Sequence, residues 1–257
     1  MLLADMGRGE HTAVPMTTEM TQQVRRTRQR PAIAFEQSGQ GEPVLFLHGI
    51  GGNRRNWDGQ RAHFGAHYRA IAMDFRGYGD SDGIEPPFEV LDFAGDAIAV
   101  LDELQIERAH VVGLSMGGLI AQAVYARAPE RVASLGLVAC RSGAEPVLPG
   151  ARRDNFIAER LGPLRAGGPE ALAQSLAPSL IGRHASAQAR EQVMASLRLI
   201  RPEAYLQVME ARMRIQPFLD PATIDVPVLV VGSDEDTVAP LSQMRELAAS
   251  IPGANSR

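Results

Sequence analysis

The 257-residue chain contains no lysine; all 26 of its basic residues are arginine. Set against 30 acidic residues they leave a net charge of −4, which gives no general affinity for nucleic acid. The arginine bias is compositional and implies no chemistry by itself. Cysteine occurs once, at Cys140, so an intrachain disulfide and a cysteine-based zinc site are both excluded. Cys140 ends the apolar run "VASLGLVAC" and reads as a small buried hydrophobe. No run approaches the roughly 18–20 apolar residues of a membrane helix. The opening "MLLADMGRGE" has no basic n-region, and its apolar stretch is too short for a signal peptide. A cytoplasmic protein with no membrane or nucleic-acid partner is the expectation. No repeat emerges. "GIGGNRR" is glycine-rich but lacks the GK[ST] ending of a phosphate-binding loop, and no GxGxxG follows a strand. Histidine is scarce too: the six are His11, His48, His63, His67, His110 and His184, and none follows.

What is present is alternation. Residues 1–30 lack periodicity, carry Arg25, Arg26, Arg28 and Arg30, and read as a disordered tail. From residue 31 strand-like runs ("AIAFEQSG", "PVLFLHGIGG", "RAIAMDF", "AHVVGL", "VASLGLVAC") alternate with helix-like ones. In "PFEVLDFAGDAIAVLDELQ", Val90, Phe93, Ala97, Val100, Leu101 and Leu104 fall at helical spacing. Residues 141–217 break the alternation with three or four helical pieces punctuated by Gly and Pro. "VPVLVVGSDED" and "LSQMRELAASI" restore it within 218–257. Strands alternating with helices imply a mostly parallel, doubly wound α/β sheet covered on both faces. The block at 141–217, inserted after a strand end, is placed to cap the sheet's C-terminal rim, where such folds bind ligands. The core is thus read as 31–140 plus 218–257.

Three runs carry candidate chemistry. Ser115 lies in Gly113-Leu114-Ser115-Met116-Gly117, a G-x-S-x-G run between a strand and a helix. A serine there makes a tight, strained turn, and side chains two residues before or after it would clash with neighbouring chain. The turn lifts the hydroxyl to the positive end of the following helix, and the Met116 N–H points towards a developing oxyanion. In "LHGIGG", His48 and Gly49 set a loop after another strand, and the Ile50 N–H is the second candidate oxyanion donor. Such donors are typically worth a few kcal/mol each in the transition state. "VVGSDEDTVAP" puts Asp234, Glu235 and Asp236 at a strand end, where an acid can hold a histidine in the right tautomer.

In this order the three runs, together with "DFRGYGDS" (Asp74, Arg76, Gly77, Gly79, Ser81), resemble the α/β-hydrolase family over about residues 31–255. The resemblance implies an α/β-hydrolase core with a helical cap, Ser115 as nucleophile, and hydrolysis of a small ester or lactone without metal or organic cofactor. It selects Asp236 as the acid, because the family's acid precedes a short hydrophobic-x-Pro run and Asp236-Thr237-Val238-Ala239-Pro240 fits. It gives the Asp74–Ser81 loop a bracing role at the elbow. "GLSMGGLIAQ" and the compact cap look most like 3-oxoadipate enol-lactonase-type hydrolases and small carboxylesterases. Perhydrolases, C–C bond hydrolases and a non-catalytic binding relative share the elbow and stay open.

The family's histidine follows the acid on a loop after one more strand. After Asp236 this sequence gives one helix and "IPGANSR". His110, five residues before Ser115 at about 3.3 Å each, lies roughly 16 Å away. His48 and His184 are the surrogates left. The expectation is that the base is not among the 257 residues, that the last strand and helix are missing, and that "VPVLVVG" is left as a bare sheet edge.

Overall fold

The computed structural model describes residues 23–144 and 150–257. One sheet of eight strands runs in the order β1-β2-β4-β3-β5-β6-β7-β8. The strands are β1 (Arg25–Arg26), β2 (Ala34–Ser38), β3 (Pro43–Leu47), β4 (Arg69–Met73), β5 (Ala109–Leu114), β6 (Val132–Val138), β7 (Val228–Val231) and β8 (Asn255–Ser256). β1, β2 and β4 pair antiparallel, and every pairing from β4 to β8 is parallel. Helices α1 (Asp58–Phe64), α2 (Asp92–Glu103), α3 (Met116–Arg127) and α7 (Leu241–Ser250) alternate with the strands. Between β6 and β7 come α4 (Gly150–Leu180), α5 (Ala187–Arg198) and α6 (Pro202–Arg212).

The apolar runs divide by parity. Leu45, Leu47, Ile71, Met73, Val111, Leu135, Leu137, Val228 and Val230 face α2, α3 and α7 in the main core. Val90, Phe93, Ala97, Val100, Leu101 and Leu104 are all buried there, as their spacing implies. Full burial of the valine, leucine and phenylalanine side chains among them is worth roughly 1.5–3 kcal/mol each. The intervening residues Val44, Phe46, Ala70 and Ala72 meet Trp57 and Phe64 on the other face. That second face thins out along the sheet. Val112, Leu114 and Val138 are only half-buried, and Leu229 is 43% exposed. The expectation of two covered faces therefore holds over β3 and β4 but not over β5–β7.

Two expectations about the ends need correction. Residues 1–22 lie outside the described residues, but the tail does not extend to residue 30. β1 pairs with β2 through Arg25↔Phe35 and Arg26↔Ala34. Thr27 is buried, donating its N–H to the Ile33 carbonyl at 3.0 Å and accepting the Ile33 N–H at 2.9 Å. The arginines that suggested a solvated tail have partners: Arg26 and Arg30 both ion-pair with Asp82, and Arg28 with Glu103. At the other end β7 is not a bare edge. β8 pairs beside it through Leu229↔Asn255 and Val230↔Ser256. Gly253, at φ +69°, turns the chain back from α7 for that pairing.

Asp82 makes the N-terminal hairpin pH-sensitive. The Ala32 N–H, then Arg30 and Arg26, hold its carboxyl down at about 2 against an ordinary 3.8. A depressed carboxylate stabilises the fold above its unfolded pKa and loses that contribution as pH falls through the folded one. Because the arginines are largely exposed, the effect is modest. Asp82→Asn should cost roughly 1 kcal/mol at neutral pH. The difference between variant and parent melting curves should close as pH drops from about 4 to 2.

Within the expected cap, residues 145–149 lie outside the described residues. α4 is broken at Gly167 and Gly168, where Gly168 takes φ +68°. Its Leu161, Leu164, Leu172 and Leu176 pack with Leu197, Ile200, Tyr205 and Met209 into a second core. Ile50 packs against both cores, which puts its loop between sheet and cap. Among the described residues no helix is long and apolar enough to cross a membrane.

Candidate active site

Ser115 joins β5 to α3 at φ +54° and ψ −114°. For a residue with a Cβ such a conformation costs roughly 1–3 kcal/mol. The surrounding backbone holds it: the Ser115 N–H donates to the Val138 carbonyl at 2.8 Å, and the Gly118 and Leu119 N–H groups reach the Ser115 carbonyl at 3.0 and 3.2 Å. The flanking glycines are required by space. A Cβ on Gly113 would lie 2.1 Å from the Gly117 carbonyl oxygen, and one on Gly117 2.2 Å from that of Leu47. As the first residue of α3, Met116 has an amide with no acceptor inside the helix.

The loop after β3 meets this elbow. A Cβ on Gly49 would sit 3.4 Å from the Ser115 Cβ. The Gly52 N–H closes a turn on the Gly49 carbonyl at 3.0 Å, with Gly51 at φ +76°. A positive φ at that position is the signature of a type II turn, which leaves the second residue's N–H, here that of Ile50, outside the ring.

His48 is fully buried beneath this loop. Its Nε2 accepts the Phe75 N–H at 3.2 Å, so its Nδ1 carries the proton donated to the Gly49 carbonyl at 2.8 Å. Burial pushes its pKa below the ordinary value, outweighing the pull of Asp74. Both ring nitrogens are engaged and the ring is neutral, so His48 shapes the loop and has no nitrogen free for a proton. The other described histidines lie elsewhere. His63 and His67 are exposed on and just after α1. His110 begins β5, with Nδ1 2.7 Å from the Ser134 Oγ and Nε2 3.5 Å from Glu42 Oε2, at the end of the strand opposite Ser115. His184 is exposed between α4 and α5. His11 falls outside the described residues.

The three acids after β7 differ in their engagements. Asp234 is exposed. Glu235 accepts the Arg183 N–H at 2.9 Å and pairs with the Arg183 guanidinium, and both hold its carboxyl below the usual range. That pair ties the α4–α5 loop of the cap to the acid loop. Asp236 is half-buried, and its Oδ1 accepts the Val238 and Ala239 N–H groups at 2.8 Å each. This leaves Oδ2 for a further donor.

Two features escaped the sequence reading. Arg54 and Arg61, in a stretch that reads as loop and surface helix, are buried. Arg54 pairs with Glu36, Asp74 and Asp80, and Arg61 with Glu36 and Asp58. Burial opposes the Arg54 charge, but Asp74 and Glu36 outweigh it and raise its pKa. Asp74 also takes the Arg54 N–H at 2.7 Å and the Asp80 N–H at 2.9 Å. The "DFRGYGDS" loop therefore braces the segment that follows the Ile50 turn rather than the elbow itself. Gln122, one turn along α3, is fully buried; it donates to the Gly118 and Arg141 carbonyls at 3.2 and 2.8 Å and accepts the Gly143 N–H at 2.8 Å. A buried arginine or glutamine in an otherwise periodic run carries no signal in one sequence. Cys140 is buried beside α3, as its run implied. Among the described residues no group of three or more His, Cys, Asp or Glu could hold a metal ion.

Comparison with known proteins fits this architecture. A family model described as the alpha/beta hydrolase fold matches residues 42–257. A protein named carbamate hydrolase RutD from Azorhizobium caulinodans is 31% identical over 227 residues, covering 86% of this chain and 84% of its own length. Other curated relatives match over shorter stretches, 31% and 42% of their own lengths. A thermophilic esterase from Thermogutta terrifontis superposes with a TM-score of 0.81 at 25% identity, covering 91% of this chain and 88% of its own. The enol-lactonase from Burkholderia xenovorans LB400 superposes with 0.71 at 27% identity, covering 88% and 86%. The match spans most of the chain, and the chain belongs to the alpha/beta hydrolase fold family.

Proposed function

We propose that the protein is a serine hydrolase of small carboxylic esters or lactones. The observation that carries the reading is Ser115, strained at φ +54° with the Gly49–Gly52 turn against it. Such strain persists only where surrounding structure enforces it, and it clusters at reacting groups. In the mechanism this supports, Ser115 Oγ attacks the carbonyl carbon and its proton passes to a histidine. The Met116 and Ile50 N–H groups stabilise the oxyanion. The histidine returns the proton to the leaving alkoxide, and water then hydrolyses the acyl-enzyme by the same route. Asp236 Oδ2 orients the histidine. Supporting this choice, Glu235 is engaged by Arg183 and Asp234 is exposed.

No described histidine hydrogen-bonds Ser115 or Asp236, so the proposal needs a histidine presented to Asp236 Oδ2 in the catalytically complete form. His48 has no free nitrogen, His110 is at the far end of its strand, His63 and His67 are exposed on and just after α1, and His184 is exposed between α4 and α5. A cytoplasmic setting is part of the same proposal.

A panel of p-nitrophenyl esters and lactones, run with and without peroxide and beside a C–C cleavage substrate, tests the reaction class. Ester or lactone turnover independent of peroxide supports it. Turnover only with peroxide, or only of the C–C substrate, replaces it. On the acid, Asp236→Asn in the catalytically complete protein should lower kcat by about 10⁴. Asp234→Asn should stay within a few-fold of the parent, and the reverse ranking would move the assignment to Asp234.

A further inference from the structure

We propose that Ser196, on cap helix α5, is a positioning residue that holds the Gly49–Asn53 oxyanion loop in register with Ser115. The proposal rests on the hydrolase reading above and adds that the cap sets the rate of the chemical step.

Ser196 is only 8% exposed, although it belongs to the inserted helices and not to the sheet. Its hydroxyl accepts from Asn53 Nδ2 at 3.1 Å, across 143 positions of sequence. Its one proton has two acceptors to choose between, Asn56 Oδ1 at 3.2 Å and the Gly51 carbonyl oxygen at 3.5 Å from Oγ. Asn56 Oδ1 in turn accepts the Asn53 N–H at 2.7 Å, and Asn53 Oδ1 accepts the Arg55 N–H at 3.0 Å. Donors and acceptors match throughout, so the hydroxyl closes a net that includes the backbone just after Ile50. Packing points the same way. A Cβ on Gly51 would lie 3.1 Å from Leu197 Cδ2 and 3.2 Å from Ile200 Cδ1, so the turn is pressed against the end of α5. Among the described residues Ser196 Oγ is the acceptor that Asn53 Nδ2 has. Its removal leaves the buried Asn53 amide without that acceptor. The loop then keeps the packing of Leu197 and Ile200 but loses its polar tie to the cap.

An oxyanion donor acts only at hydrogen-bond distance from where the charge develops. A displacement of about 1 Å can cost on the order of 10² in rate. Ser196→Ala in the catalytically complete protein should therefore lower kcat by about 10- to 100-fold. Because the substrate is not held by this hydroxyl, KM should change less than about threefold. Asn53→Ala should do the same, and the double variant should be no slower than the slower single, since both break one net.

A second arm needs no turnover. Hydrogen exchange of the 257-residue chain should quicken at the amides of residues 49–56 in Ser196→Ala and stay unchanged in β5 and α3. Exchange that rises everywhere marks a general loss of stability and overturns the proposal, as does exchange unchanged at 49–56. Faster exchange there with kcat unaltered, or rate losses that multiply in the double variant, also overturns it. A parent protein that turns over no ester defeats the hydrolase reading instead, and the exchange arm still decides whether Ser196 holds the loop.

Discussion

Ser115→Ala should reduce ester turnover by about 10⁶ in kcat in the catalytically complete protein, the loss typical when a triad nucleophile is removed. What remains should be about 10³-fold over water, the share expected of the proposed Met116 and Ile50 oxyanion donors and of binding. The fold should survive, because the elbow is held by backbone bonds to Val138, Gly118 and Leu119 that alanine keeps. Alanine is also no worse than serine at φ +54°, so the melting temperature should barely move. Steady-state assays on a p-nitrophenyl ester, paired with thermal melts, read both halves. Turnover within tenfold of the parent would transfer the nucleophile to another residue.

The second large effect concerns the base. Assayed alone, the 257-residue chain should fall on the order of 10⁶ below a chain that also presents a histidine to Asp236 Oδ2. Joining to Arg257 a designed strand, histidine-bearing loop and helix, roughly 25–30 residues by the usual lengths of such elements, should supply that histidine. The register favours this route. The Arg257 N–H donates to the Val230 carbonyl, and the Gly232 N–H to the Arg257 carbonyl, at 3.0 and 3.1 Å, so β8 runs alongside the strand that leads to Asp236. An added helix would also cover the half-open face at Val112, Leu114, Val138 and Leu229, and the longer chain should be the less prone to associate. Comparing the two forms by kcat and by light scattering gives the answer. Ordinary enzyme rates from the shorter form would place the base inside it. His184 would then be the first residue to replace, since the neighbouring Arg183 grips Glu235 next to the acid.

The sheet and the elbow were legible in the sequence because each is set by local rules. Parity along "PVLFL" and "AHVVGL" reports burial directly, and G-x-S-x-G reports a close backbone approach that leaves no room for a Cβ. Around Ile50 the glycines showed a loop after a strand, but the type of its turn came only with the backbone angles. What was hidden depends on partners far along the chain. Arg25–Arg26 looked like solvated tail until Asp82 and Phe35 were in place, since two-residue strands have no periodicity to detect. Arg54 and Arg61 looked exposed because arginines usually are, and the carboxylates of Glu36, Asp74, Asp80 and Asp58 make their burial tolerable. Ser196 was one polar residue in an amphipathic helix, and its partner stood 143 positions away. The thin cover over β5–β7 was invisible because alternation states which side chains avoid water, not whether anything arrives to shield them.

The backbone at Ser115 has a consequence for protein engineering. Glycine is the residue that φ +54° suits best, so it should be at least as well tolerated there as serine on stability grounds alone. A thermostability screen blind to turnover would then reward the loss of the proposed nucleophile. Variants of this protein selected for heat resistance need an activity readout in the same round, because at position 115 the two objectives have opposite optima.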